Sequence, residues 1–191
     1  MKKLSLEKLP ALFAAIAEKE TLYLPVDTET GAKYTRFCEG MTLSSALNTV
    51  RSAKDFFFPQ TENLVEFKME GKSIEVIDPR TESEDFVVFG VRSCDARSFS
   101  ILDKVFLADP VDTYYKNRRE HGTIVSMACT RPQETCFCGT FDIDATDPEG
   151  DVASWKTEDA IYFDAKTEKG GALLAALSDL LSDADSDAVN A

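Results

Sequence analysis

The sequence predicts an α/β domain. Its core is a mixed sheet with a central parallel β-α-β crossover (strands near 86–91 and 123–128), flanked by β-hairpins and helices. Three observations carry this reading. Phe86-Val-Val-Phe-Gly-Val91 and Thr123-Ile-Val-Ser-Met-Ala128 are short, almost continuously apolar runs, as expected of strands covered on both faces. The segment between them is long and has helical periodicity, which suits a crossover between parallel strands. Shorter segments bounded by turn residues lie on either side, the pattern of hairpins.

Taken in order, Ser5 to Glu18 places Leu6, Leu9, Phe13 and Ile16 at helical spacing, with Ser5 as N-cap and Pro10 early enough to be tolerated. Strands Leu22–Val26 and Lys33–Phe37 around the turn Asp27-Thr-Glu-Thr-Gly31 form a hairpin. Thr42 to Ala53 reads as a short helix with Leu43, Ala46, Leu47 and Val50 on one face. Leu64–Phe67 and Ser73–Ile77 read as strands joined at Glu70-Gly71, followed by a polar loop from Asp78 to Asp85. After strand 86–91, one helix starts after Asp95 and carries Phe99, Leu102, Val105 and Phe106. A second helix opens near Pro110 and stops at Gly122. Strand 123–128, strands Val152–Trp155 and Ala160–Phe163, and an amphipathic helix Gly171–Leu181 complete a single α/β domain over 1–181. Residues 182–191, small and acidic, are expected to be a disordered tail.

Composition narrows the function classes. Hydrophobic residues make up 43% of the 191, charged residues 29%, and no apolar run approaches the roughly 20 residues of a membrane span. The amino terminus has no apolar leader or small-residue cleavage site, so a cytoplasmic location is expected. A net charge of −13 with no basic stripe repels phosphate backbones and argues against nucleic acid as partner. Five cysteines, an odd number without secretion signals, do not read as a disulfide framework.

Four of the five carry the chemical signal. Cys94 and Cys129 each close one of the two apolar runs, and Cys136 and Cys138 follow in Thr135-Cys-Phe-Cys-Gly139. If the two strands are parallel neighbours, the four sulfurs converge at the carboxyl edge of the sheet, where open α/β sheets place ligands. Converging thiolates point to a metal: an iron–sulfur cluster first, with zinc as the alternative. Cys94 at a helix amino end would feel the positive end of the dipole, which favours the thiolate. Arg92 and Arg131 flank the group and offset its charge, Phe137 is placed to shield it, and Gly139 supplies freedom for the turn that brings Cys136 and Cys138 to one site. Single free cysteines are usually small buried hydrophobes, and Cys38, alone in its segment, is assigned to packing. His121, beside Gly122 at a helix end, reads as a cap rather than a catalytic base. No Ser–His–acid set, phosphate-binding glycine loop or dinucleotide fingerprint appears.

Several stretches match a known family in order and spacing: Phe58-Pro-Gln-Thr-Glu62, Val88-Phe-Gly-Val-Arg-Ser-Cys-Asp95, Ile101-Leu-Asp-Lys-Val-Phe-Leu107, Asp112-Thr-Tyr-Tyr115 with Arg118 or Arg119, and Cys129 with Thr135-Cys-Phe-Cys138. Together they resemble the group of iron–sulfur proteins that includes the iron–sulfur subunit of anaerobic sulfite reductase and the sulfhydrogenase beta subunits. The resemblance implies an amino-terminal α/β domain of a non-catalytic electron-transfer protein. Such a protein relays electrons between a flavoprotein that oxidises NAD(P)H and a reductase or hydrogenase partner that works on sulfite, sulfur or hydrogen. It implies a cluster, [4Fe–4S] by type, with Cys94, Cys129, Cys136 and Cys138 as ligands and Arg92 and Asp95 as their setting. The family's ferredoxin-like dicluster domain, with its C-x2-C-x2-C-x3-C-P run, has no counterpart in this sequence. The competing expectation is an assembly domain of such a complex, with cysteines that bind zinc or no metal.

Overall fold

The computed structural model describes residues 1–185. An eight-stranded sheet runs through the chain, and its centre is parallel. In chain order the strands and helices are β1 (Lys2–Ser5), α1 (Leu9–Ala17), β2 (Thr21–Thr28), β3 (Gly31–Arg36), β4 (Glu66–Glu70), β5 (Ser73–Ile77), β6 (Phe86–Arg92), α2 (Ser93–Phe106), α3 (Thr113–His121), β7 (Gly122–Met127), β8 (Val152–Lys156), β9 (Ala160–Ala165), α4 (Glu168–Ala176) and β10 (Ser182–Asp183). The sheet order is β10-β1-β9-β8-β7-β6-β2-β3. Strands β2, β6, β7 and β8 are mutually parallel, and β3, β9, β1 and β10 pair antiparallel at the flanks. The mixed α/β architecture expected from the sequence is the one found, including the parallel pair built from the two apolar runs.

Alternation along the central strands divides the core between two faces. Val87 and Phe89 of β6, with Val125 and Met127 of β7, pack with α1 and α4 residues such as Phe13, Ile16, Leu173 and Leu174. Val88 and Val91, with Ile124, pack under α2 and α3 against Phe57, Phe99 and Tyr115. The switch from even to odd numbering on β6 marks a bulge between Phe89 and Val91. Gly90 sits at its centre with φ +80°, and a Cβ there would meet the Pro25 ring at 3.2 Å. The bulge sets the direction in which β6 delivers Arg92 and Cys94 to the sheet edge.

Three expected elements differ. The helix expected over 42–53 does not form: residues 42–52 are not helical, and the local turn of helix is a 3-10 turn at Ala53–Phe56. Side chains supply the alternative bonding: Ser44 caps Ala46 and bonds Asp27, and the Arg92 guanidinium takes the carbonyls of Ala46 and Leu47 that a helix would use. Ser5 ends a strand, β1, and makes no side-chain cap. The chain passes through a 3-10 turn before α1 begins at Leu9. The last helix starts upstream of Gly171, at Glu168, because Thr167 accepts a bond from the Gly170 amide and caps it. Of the segment expected as a tail, Ser182–Asp183 pair with β1, and 186–191 lie outside the described residues.

Strands β4 and β5 stand apart as a two-stranded ribbon. Among the described residues, no helix is long and apolar enough to cross a membrane.

Candidate metal centre

In the parallel register Arg92 at the end of β6 stands opposite Met127 at the end of β7. Both strands therefore stop at the same edge. Cys94 follows in the first turn of α2, and Cys129 follows two residues beyond β7. The loop after Cys129 returns across that edge and brings Cys136 and Cys138 with it. All four cysteines line one pocket of about 470 Å³, together with Arg92, Arg131, Leu47, Asn48 and Phe137. Cys38 is not among the lining residues. It is also exposed rather than packed, contrary to its assignment to the core.

Backbone bonds hold the pocket's walls. The Ala145 carbonyl accepts from the Cys129 amide at 2.8 Å and from Ser93 Oγ at 3.2 Å, tying the ends of both strands to the returning loop. Cys136 closes a tight turn in which its amide donates to the Gln133 carbonyl at 3.0 Å and the Gln133 amide donates to Cys136 Sγ at 3.3 Å. An N–H aimed at a thiolate sulfur is one of the ways proteins tune thiolate-bound metals. Asn48 Nδ2 donates to Gln133 Oε1 at 2.6 Å, clasping the 42–53 segment to the cysteine loop.

The electrostatics run against the expectation drawn for Cys94. Burial pushes its thiol above the ordinary range; Asp95, Cys138 and Cys129 push it further, outweighing the bond at the helix start. Burial likewise raises the Cys129 thiol, with Arg92 pulling it back and Cys138 and Cys136 adding to the rise. The thiols thus act on one another, as neighbouring groups sharing a site do. Cys94 and Cys129 are thereby held toward the protonated form, and binding a metal there would release those protons.

Other assignments shift in detail. Arg92 lines the pocket while donating to Leu47 O at 3.0 Å, Ala46 O at 2.9 Å and Ala128 O at 3.4 Å. Asp95 does not line the pocket: its carboxylate accepts from Ser52 Oγ at 2.8 Å and Lys54 Nζ at 3.2 Å, beside an adjoining cavity of about 170 Å³ that shares Leu47, Asn48, Arg92 and Cys94 with it. Phe137 is 65% exposed, its ring 5.6 Å from that of Phe141, so it borders the pocket without sealing it. Gly139 is outside the left-handed region and a Cβ there would meet nothing. The turn is made instead by a 3-10 segment, Cys138–Phe141, and by Asp142 at φ +52°. His121 is the last residue of α3, with Gly122 as the C-cap, and its ring pairs through Nδ1 with the Asp85 carboxylate at 2.6 Å. Leu47, Asn48 and Ala145 carry no signal in the sequence. Nothing in their local pattern marks them, since chain crossings distant in sequence bring them to the site.

The fold and the pocket define an α/β domain with four convergent thiols at the carboxyl edge of its parallel strands. The chain is 33% identical over 143 residues, 74% of its length, to sulfhydrogenase 2 subunit beta of Pyrococcus furiosus. It is thus a relative of a sulfhydrogenase beta subunit, in keeping with its motifs. The match spans 41% of that relative's length. No family model matches the chain, and no solved structure does.

Proposed function

We propose that this chain is an electron-transfer module of an anaerobic oxidoreductase complex that works on sulfite, sulfur or hydrogen. In this reading a [4Fe–4S] cluster is bound by Cys94, Cys129, Cys136 and Cys138. The observation that carries the reading is the lining of a single pocket by four thiols from three separate chain segments. The donor set is rich in sulfur, which suits iron–sulfur chemistry, and no carboxylate lines the pocket with it. Among the described residues, no group of three or more His, Cys, Asp or Glu side chains is arranged to hold a metal ion, so the reading rests on the chemistry of the lining.

A bound cluster would accept and release one electron at a time. The chain's own residues do the rest. Arg92 and Arg131 offset the charge of the thiolates, the Gln133 amide bonds the Cys136 sulfur, and the Ala145 carbonyl fixes the spacing of the strand ends. Similarity to a protein named as a subunit supports work within a complex. Its partners are a flavoprotein subunit that oxidises NAD(P)H and a reductase or hydrogenase subunit, in the cytoplasm. Anaerobic purification followed by iron and acid-labile sulfide assay and EPR tests the reading: a brown protein with about four irons is expected. A colourless protein with about one zinc, or with no metal after reconstitution, would replace it with the assembly-domain reading.

A further inference from the structure

The ribbon β4–β5 is amphipathic, and its apolar face is bare. Residue pairs Phe67 with Val76 and Met69 with Ile74 stand directly opposite each other, so these four side chains share one face. They are 67%, 64%, 73% and 61% exposed, respectively. The other face carries charge, with Lys68 opposite Glu75 and Glu70 opposite Ser73. Period-two segregation of this kind is the pattern of a sheet with one covered face, and an isolated two-stranded hairpin is marginal in water. The described residues supply no cover: among them the ribbon pairs with no other strand, and all but one of its ten residues are exposed.

We propose that this ribbon is a docking arm for a different polypeptide, one offering an apolar cleft rimmed by basic side chains. Size argues against a second copy. Five residue pairs at a ~3.4 Å rise and ~4.8 Å strand spacing give a face of roughly 17 by 10 Å, far below the ~800 Å² per partner of a standard interface. A partner that embraces both faces and an open strand edge gains the missing area, as in strand addition. Charge argues the same way. The ribbon itself carries Glu66, Glu70 and Glu75 against Lys68 and Lys72, on a chain of net charge −13, so two copies repel where a basic rim attracts. The same acidity disfavours an anionic lipid surface. The proposal does not depend on the metal centre.

The test uses the full chain and two synthetic strand-forming peptides, one alternating Lys with Val and Ile, the other with Glu in place of every Lys. NMR titration should show the basic peptide perturbing residues 66–77, with affinity falling as salt rises, and the acidic peptide leaving the spectrum unchanged. Phe67→Ser with Met69→Ser should weaken binding by about tenfold or more, at unchanged melting temperature because both side chains are exposed. Lys68→Gln, which removes a positive charge from the face opposite the apolar one, should leave binding of the basic peptide as tight or tighter. Equal binding of both peptides, binding of neither, attachment to anionic vesicles, or sedimentation showing self-association that the double substitution abolishes would each overturn the proposal.

Discussion

Arg92 donates to three carbonyls that belong to two chain segments, Ala46 and Leu47 on one side and Ala128 on the other, while its side chain lines the four-thiol pocket. Truncation to Ala leaves those carbonyls unsatisfied in a half-buried setting and should lower stability by ~1–3 kcal/mol in denaturant titration. Lys, without the planar fork, should recover less than half of that loss. Each of Cys94→Ser, Cys129→Ser, Cys136→Ser and Cys138→Ser should abolish or distort the visible and EPR signature of the reconstituted protein. Cys38→Ser, outside the pocket, should leave it unchanged. The four cysteines are legible in the sequence because their positions relative to strand ends survive in the linear pattern. Arg92 is legible as a charge beside them but not as a clamp, since two of its carbonyl partners, Ala46 and Leu47, lie in a segment whose apolar spacing mimics a helix.

At the scale of elements, helices α2 and α3 are joined by one polar node: Arg119 donates to both oxygens of Asp103 at 2.8 and 2.9 Å, and the Tyr115 hydroxyl donates at 2.7 Å. Burial raises the Asp103 carboxyl, but the bonds from Arg119 and Tyr115 outweigh it and hold the group below its ordinary range. The folded state therefore keeps this carboxylate ionised to lower pH than the unfolded chain does. Its contribution is complete above the ordinary carboxylate range and is lost as pH falls through the lowered folded value. Melting temperature measured between about pH 5 and pH 2 should fall less steeply in Asp103→Asn than in the parent. Helix α4 depends on close approach: a Cβ on Gly170 would lie 1.9 Å from the Asp151 carbonyl. Gly170→Ala should cost ~1–3 kcal/mol or more, whereas Gly139→Ala, facing open space, should be near neutral. Strands buried on both faces are the most readable elements, because continuous apolar runs have few other uses. Strand β1 is hidden in the sequence because its four residues, Lys2–Ser5, alternate too briefly and its partners are β9 and β10 at the far end of the chain.

Over the whole molecule, the parallel centre of the sheet makes the pocket. Two strands that end at one edge deliver Cys94 and Cys129 together despite the long crossover between them, and the returning loop needs only to fold back once. That arrangement and the flanking hairpins are implicit in the sequence, but where each hairpin joins the sheet is not, since hairpin signals do not say which strands adjoin the centre. Pairing at the outer flank has its own consequence. The Ala184 amide donates to the Met1 carbonyl at 3.2 Å, and Lys2 and Asp183 form an ion pair at 2.7 Å, so residue 1 and residue 184 are spatial neighbours. Between residues 1 and 184 the backbone is nearly a closed ring, open at a sheet edge. Joining residue 184 to residue 1 by a short linker, with a new opening at Gly71 in the turn of a ribbon the main sheet does not use, should give a circular permutant that melts within a few degrees of the parent. Failure of that permutant to fold would mean that the order in which the strands emerge matters to this sheet as much as their final adjacency.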